Sequence, residues 1–176
     1  MNTLEGQIKF INELEKLKTI KRRNLTLDDK RPENSAEHSW HLAMMVPILS
    51  QYSKSEVDQL KVIKMLLIHD LGEMYVGDTW VYSKSNKDEI YGKELEAFKQ
   101  LISTLPSIQQ SELLSLFIEF GAQESPEAKF AKVLDAIQPL INHLYVAEKN
   151  ENPDDIQVNM VLKKKAFIKD YAPNLW

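Results

Sequence analysis

Apolar residues recur at intervals of three and four along most of the chain, and few stretches alternate apolar with polar residues. Amphipathic helices satisfy that pattern, and half-buried strands do not. The N-terminal segment sets the rule, with Leu4, Ile8, Ile11, Leu14 and Leu17 on one helical face and Lys and Glu between them. Only five glycines occur in 176 residues, too few for the tight turns a sheet protein of this length needs. The spacing predicts an all-α fold: a single domain over residues 1–176, built as a bundle of about six or seven helices.

The first predicted helix ends near the basic run Lys21-Arg22-Arg23, read as a charged last turn favoured by the helix dipole. Residues 24–34, polar and containing Pro32, are expected to form a loop. Ser35 is the expected N-cap of a second helix reaching about Ser50, with Pro47 kinking it or ending it early. A third begins in Ser55-Glu56-Val57-Asp58 and runs into His69-Asp70. Residues 71–85, with Gly72, Gly77, Asp78, Thr79 and aromatics, read as an irregular loop. Further helices are expected over about Asn86–Thr104, from Pro106 to a stop at Gly121, from Ser125-Pro126 onward, and over about Asp154–Tyr171.

Composition excludes several kinds of function. With no cysteine there are no disulfides, thiolate metal sites or cysteine nucleophiles, so any metal must be held by nitrogen and oxygen. A net charge of −4 disfavours a nucleic-acid polymer or an anionic membrane as partner. The N-terminus lacks signal-peptide character, and no apolar run approaches the ~18 residues of a membrane span. A cytoplasmic protein is the expectation.

Chemistry concentrates at few places. The four histidines are His38, His41, His69 and His143. His69-Asp70 follows the apolar run Met65-Leu66-Leu67-Ile68, where an unpaired carboxylate would be expensive to bury, so a positive partner is expected. A divalent cation would serve the acid and the imidazole together, and donors of this type suit Mg, Mn, Co, Ni or Zn. His38 and Asp135 are the further candidates. Asp135 lies on an otherwise apolar helical stretch, where pairing with a Lys or Arg, or a place at the solvated helix edge, would also account for it.

The order His38, His69-Asp70, Asp135 resembles the HD-domain superfamily of metal-dependent phosphohydrolases. The segments Arg31-Pro32-Glu33-Asn34-Ser35-Ala36-Glu37-His38-Ser39-Trp40 and Ile68-His69-Asp70-Leu71-Gly72-Glu73, with Gly77-Asp78, are similar to its 5′-deoxynucleotidase branch. The resemblance implies one divalent metal on His38, His69, Asp70 and Asp135. It also implies Glu73 and Asp78 as the acids that hold the attacking water and move a proton, in either order, and Arg23 as the phosphate-binding arginine, with Arg22 beside it an ambiguity. Guanidinium suits that last task, being permanently charged and bidentate. Asn24 stands where this branch carries a bulky aromatic near the sugar. The lack of histidines between Asp70 and Asp135 argues for one metal ion rather than two. His41 is left between an outer contact of the site and a packing role, and His143 reads as structural.

The expected activity is hydrolysis of a nucleoside 5′-monophosphate, a small-molecule substrate, to nucleoside and orthophosphate. Two alternatives stand beside it: an HD hydrolase of a nucleotide di- or triphosphate or an alarmone, and a non-catalytic helical binding module with a vestigial metal site. A homodimer is expected, with the apolar Leu175-Trp176 terminus compatible with a subunit contact.

Overall fold

The computed structural model describes residues 3–28, 31–76, 87–146 and 155–176. The chain runs through α1 (Thr3–Glu13), a 3₁₀ turn (Leu14–Thr19), β1 (Lys21–Leu25), β2 (Pro32–Asn34), α2 (Ser35–Leu49) and a second 3₁₀ turn (Ser50–Tyr52). It continues through α3 (Gln59–Ile68), α4 (Glu73–Val76), α5 (Lys87–Ile102), α6 (Ser107–Ala122), α7 (Pro126–Val146), α8 (Val158–Lys164) and α9 (Ile168–Tyr171). Six of these helices have ten or more residues, in line with the predicted bundle. Among the described residues no helix is long and apolar enough to cross a membrane.

The bundle is organised around α3, which packs against α2, α6 and α7. Its Val62, Met65 and Leu66 are completely buried, together with Leu42 and Val46 of α2 and Phe98 of α5. Phe130 and Leu134 of α7 and Ile168 of α9 join the same core. Phe98 stacks nearly parallel on Phe117 of α6, with ring centroids 4.3 Å apart and 12° between the planes, an aromatic contact that adds to the burial. At the C-terminus, Tyr171 O accepts from Lys54 N at 2.8 Å, tying the end of α9 to the turn after α2.

Several local boundaries differ from the sequence reading, each for an identifiable reason. Lys21-Arg22-Arg23 is not a helix end but part of β1, which pairs antiparallel with β2 in a register from Lys21–Asn34 to Leu25–Pro32 with an irregularity between. Strand alternation turns Arg22 inward while Lys21 and Arg23 stay exposed. Asn34, not Ser35, caps α2. Its side chain accepts from Glu37 N at 3.0 Å and the Glu37 carboxylate accepts from Asn34 N at 3.1 Å, a reciprocal capping box.

The cap of α3 is Asp58, which accepts from Lys61 N, so the helix starts later than Ser55. Gly121 does not end α6. The left-handed residue is Gln123, at φ 54°, and Gly121 lies inside the helix, where the Tyr91 ring occupies the space a Cβ would take. The Ser125-Pro126 start of α7 is as expected, with Ser125 Oγ accepting from Ala128 N. The single helix predicted over Asp154–Tyr171 is two short ones, α8 and α9, among the described residues.

Gly72 sits where the turn after α3 meets α5. A Cβ there would stand 2.8 Å from the Glu94 carbonyl oxygen, backbone that cannot swing aside. Gly92, on α5 itself, has nothing within 4 Å of a Cβ position. Gly72→Ala is therefore expected to lower unfolding stability by about 1–3 kcal/mol through overpacking. Gly92→Ala should leave it unchanged or raise it by up to about 1 kcal/mol, from helix propensity. Denaturant midpoints of the two variants check this contrast.

Candidate metal centre

Three separate elements bring the donors together. His38 lies in the first turns of α2, His69 and Asp70 follow α3 directly, and Asp135 lies in the middle of α7. One donor atom from each of His38, His69 and Asp135 falls within 4.8 Å of the others. His38 Nε2 is 3.2 Å and His69 Nε2 3.8 Å from the same oxygen, Asp135 Oδ1. Asp70 joins through His69, with its Oδ1 at 2.9 Å from His69 Nε2. Ligands bonded at about 2.1 Å to one cation stand roughly 3–3.4 Å apart. The His38–Asp135 separation falls in that range, the His69–Asp135 separation is wider, and Asp70 lies beside the three-residue group through its contact with His69.

The histidines are prepared for that role. His69 Nδ1–H donates to the Leu66 carbonyl at 2.8 Å. A carbonyl can only accept, so the lone pair of the neutral ring lies on Nε2. That nitrogen is buried, with Asp70 Oδ1 at 2.9 Å and Asp135 Oδ1 at 3.8 Å but no well-aligned hydrogen bond to either, a place that favours a positive charge, whether proton or metal ion. His38 is fully buried; its Nδ1 lies 3.0 Å from Gln138 Oε1, and its Nε2 faces Asp135.

The carboxylates share one design. Arg22 Nη1 donates to Asp70 Oδ2 at 2.8 Å, and Lys132 Nζ donates to Asp135 Oδ2 at 2.8 Å. Each acid therefore has a fixed cation on one oxygen and an imidazole nitrogen on the other. For Asp135, pairing with a lysine and membership of the cluster are both realised.

Burial opposes ionisation of Asp70 and Asp135, but neighbouring cations outweigh it and hold both well below the usual carboxylate range. His69 and Arg22 act on Asp70, and Lys132, His38 and His69 act on Asp135. Burial likewise disfavours imidazolium at His69, yet Asp70 and Asp135 overcome it and raise its pKa to about 10. His38 is raised too, against burial, by Asp135 and Glu33. Lys165, half-buried just after α8, is lowered by burial while Asp135 opposes that shift.

The other sequence candidates are placed as follows. Glu73 opens α4, half-buried, with its N–H donating to Asp70 O at 3.1 Å. Asp78 lies outside the described residues, as does Trp80, which with Tyr75 is the loop aromatic that the sequence offers either to border a base or to plug the packing. Arg23 is exposed on β1, and Arg22 is the arginine that faces Asp70. Tyr75 donates to Glu13 Oε2 at 3.1 Å, tying α4 to α1. His41 Nδ1 lies 3.3 Å from Gln138 Nε2, one residue removed from the cluster. His143 is exposed.

Lys132, Glu33 and Gln138 were not singled out from the sequence. The available signal was spacing: Lys132 and Gln138 lie three residues before and after Asp135 on the same helical face.

Known proteins resemble this chain over most of its length. Residues 14–176 match the HD domain family. The chain is 32% identical over 170 residues to the 5′-deoxynucleotidase HDDC2 of Dictyostelium discoideum, covering 93% of this chain and 87% of that protein. It is 28% identical over 153 residues to the mouse 5′-deoxynucleotidase HDDC2, covering 86% and 75% respectively. Its fold is similar to a crystal structure from Magnetospirillum magnetotacticum MS-1 described as a "predicted metal-dependent phosphohydrolase". That likeness has a TM-score of 0.90 and 36% identity, covering 98% of this chain and 87% of that one.

The electrostatics give a signed expectation for metal-free protein. Because the folded-state pKa of His69 lies above its ordinary 6.5, its stabilising contribution is complete below about pH 6.5 and is lost as pH rises toward 10. Asp70 and Asp135, lowered from 3.8, contribute above about pH 4 and lose that contribution on further acidification. The melting temperature of chelator-treated protein should therefore fall between pH 6.5 and 10. Saturating divalent cation should flatten that alkaline fall, since an ion then neutralises the carboxylates in place of the proton.

Proposed function

We propose, from the premise that this chain belongs to the HD domain family, that it removes the 5′-phosphate from nucleoside 5′-monophosphates to give nucleoside and orthophosphate. The observation that carries the reading is the convergence of His38 Nε2, His69 Nε2 and Asp135 Oδ1 on one buried point. The 5′-deoxynucleotidase relatives supply the substrate class. In this reading residues 1–176 act as one domain, in the cytoplasm.

His38, His69, Asp70 and Asp135 would hold one divalent ion. Such an ion supplies Lewis-acid polarisation of the phosphoryl group and a lowered pKa for the attacking water. The protein's own residues do the remaining work. Arg23 would reach the phosphate from the hairpin and neutralise its charge. Glu73, three residues beyond Asp70, would orient the water, and Asp78 would carry a proton to the leaving 5′-oxygen, or the two acids exchange these tasks. Arg22 and Lys132 hold the outer oxygens of Asp70 and Asp135, so neither acid can turn away from the ion. Phosphate monoesters hydrolyse extremely slowly without a catalyst, and a site of fixed charges lowers that barrier because it needs no reorganisation during the reaction.

A homodimer is part of the proposal. Trp40, Met44 and Ile48 form an exposed stripe along α2, at 64%, 51% and 63% exposure, and such a stripe is the kind of surface a second subunit covers. Light scattering is expected to give the mass of two chains, and Trp40→Glu to give the mass of one.

The central test is phosphate release from a panel of nucleoside mono-, di- and triphosphates with metal-loaded protein. Orthophosphate from 5′-monophosphates is expected. Release of pyrophosphate or tripolyphosphate instead would transfer the chain to another hydrolase class. His69→Ala is expected to lower turnover more than ~100-fold, beyond the usual loss for an outer metal contact, while circular dichroism stays helical. Unchanged turnover in that variant would remove the metal-centred reading.

A further inference from the structure

We propose that Gln138 is a positioning residue of the metal site: its carboxamide, clamped by Glu33, receives the Nδ1–H of His38 and keeps the Nε2 lone pair of that imidazole on the ion. The proposal rests on the metal-centred reading above and adds a residue that touches neither ion nor substrate.

The orientation of the amide follows from its neighbours. Glu33 Oε1 is a carboxylate oxygen that accepts, so the Gln138 atom 2.8 Å away is the NH₂ group. The same NH₂ lies 3.3 Å from His41 Nδ1, a second acceptor. Gln138 Oε1 is thereby left facing His38 Nδ1 at 3.0 Å. A carbonyl oxygen accepts only, so His38 carries its proton on Nδ1. The lone pair of the neutral ring is on Nε2, which points at Asp135 Oδ1. A metal binds only the unprotonated nitrogen of an imidazole, and the other tautomer would present an N–H to the ion.

Burial makes this arrangement decisive. Gln138 and His38 are 0% exposed and Glu33 is 4% exposed. A flipped amide or a shifted proton would leave buried donors and acceptors facing their own kind, with little solvent access to repair them. Glu33 cannot replace the amide where it stands, because its other oxygen is 3.6 Å from His38 Nδ1, too far for a good hydrogen bond. The two histidines also differ in how they are fixed. His69 is oriented by a backbone carbonyl, which no substitution removes, whereas His38 depends on a side chain.

The test uses the full chain and zinc alone. Zinc affinity is measured by competition with a chromophoric chelator for wild type, Gln138→Leu and the exchange Glu33→Gln/Gln138→Glu. Melting curves of the metal-free proteins and ¹⁵N NMR of the histidine rings in the zinc-loaded proteins accompany it. Gln138→Leu is expected to weaken zinc binding about 10- to 100-fold, with cooperative melting retained and the His38 nitrogens no longer reporting a single Nδ1–H form. The exchange variant again sets an acceptor against His38 Nδ1 and a donor at position 33, so it should recover most of the affinity and the wild-type ¹⁵N pattern.

Wild-type zinc affinity and an unaltered His38 pattern in Gln138→Leu would overturn the proposal. So would a folded exchange variant that binds as weakly as Gln138→Leu. If Gln138→Leu does not fold, the exchange variant alone decides. A wild type that binds no zinc defeats the metal-centred reading and this proposal with it. Wild-type binding that Gln138→Leu leaves intact defeats only the role of Gln138.

Discussion

Two carboxylates, Asp70 and Asp135, face two imidazoles inside an apolar bundle, and the surrounding structure compensates that charge. Each acid has one oxygen on a permanent cation, Arg22 for Asp70 and Lys132 for Asp135, and turns the other toward a histidine Nε2. An uncompensated carboxylate at this depth would cost several kcal/mol. The outer cations stabilise the acids in their charged form without occupying the inward oxygens. The result is a buried point with two imidazole nitrogens and anionic oxygens around it, a donor set that fits a divalent cation.

The same constraint explains why so small a sheet persists in a helical protein. Arg22 on β1 and Glu33 on β2 are both needed below the surface, one against Asp70 and the other against Gln138. A helical continuation of α1 through Lys21-Arg22-Arg23 would have put three like charges on one turn. The strand separates them, one inward and two outward. Arg22 Nε lies 3.9 Å from Glu33 Oε2, so the hairpin carries its own charge balance while bridging the segment after α3 to α7.

Much of this was legible in the sequence. Periodicity identified the helices, and the absence of cysteine limited the donors to nitrogen and oxygen. The resemblance pointed to His38, His69, Asp70 and Asp135, and the structure brings these side chains into one neighbourhood. What escaped notice had weak local signatures. The hairpin is built from a three-residue β2 and a basic β1, neither of which shows an apolar alternation. Gln138 is a single polar residue on a buried helical face, and its partners lie 100 and 105 residues away in the chain. Arg22 and Arg23 differ only in which side of a strand they occupy, a distinction that needs the strand to be known first. Gly121 carried a helix-stop signal, but packing against Tyr91 is what required a small residue there.

Asn34 is both the last residue of β2 and the N-cap of α2, so no connecting residue lies between strand and helix. The pleat of the strand, with its period of two, fixes the phase of a helix that turns about 100° per residue. Glu33 and His38 are thus locked to one another in rotation as well as in distance. An insertion of a single residue in this stretch would turn the strand over or swing His38 a quarter-turn or more away from Asp135. The Arg31–His38 stretch is a fixed gearing between two kinds of backbone, able to accept substitutions but not a change of length.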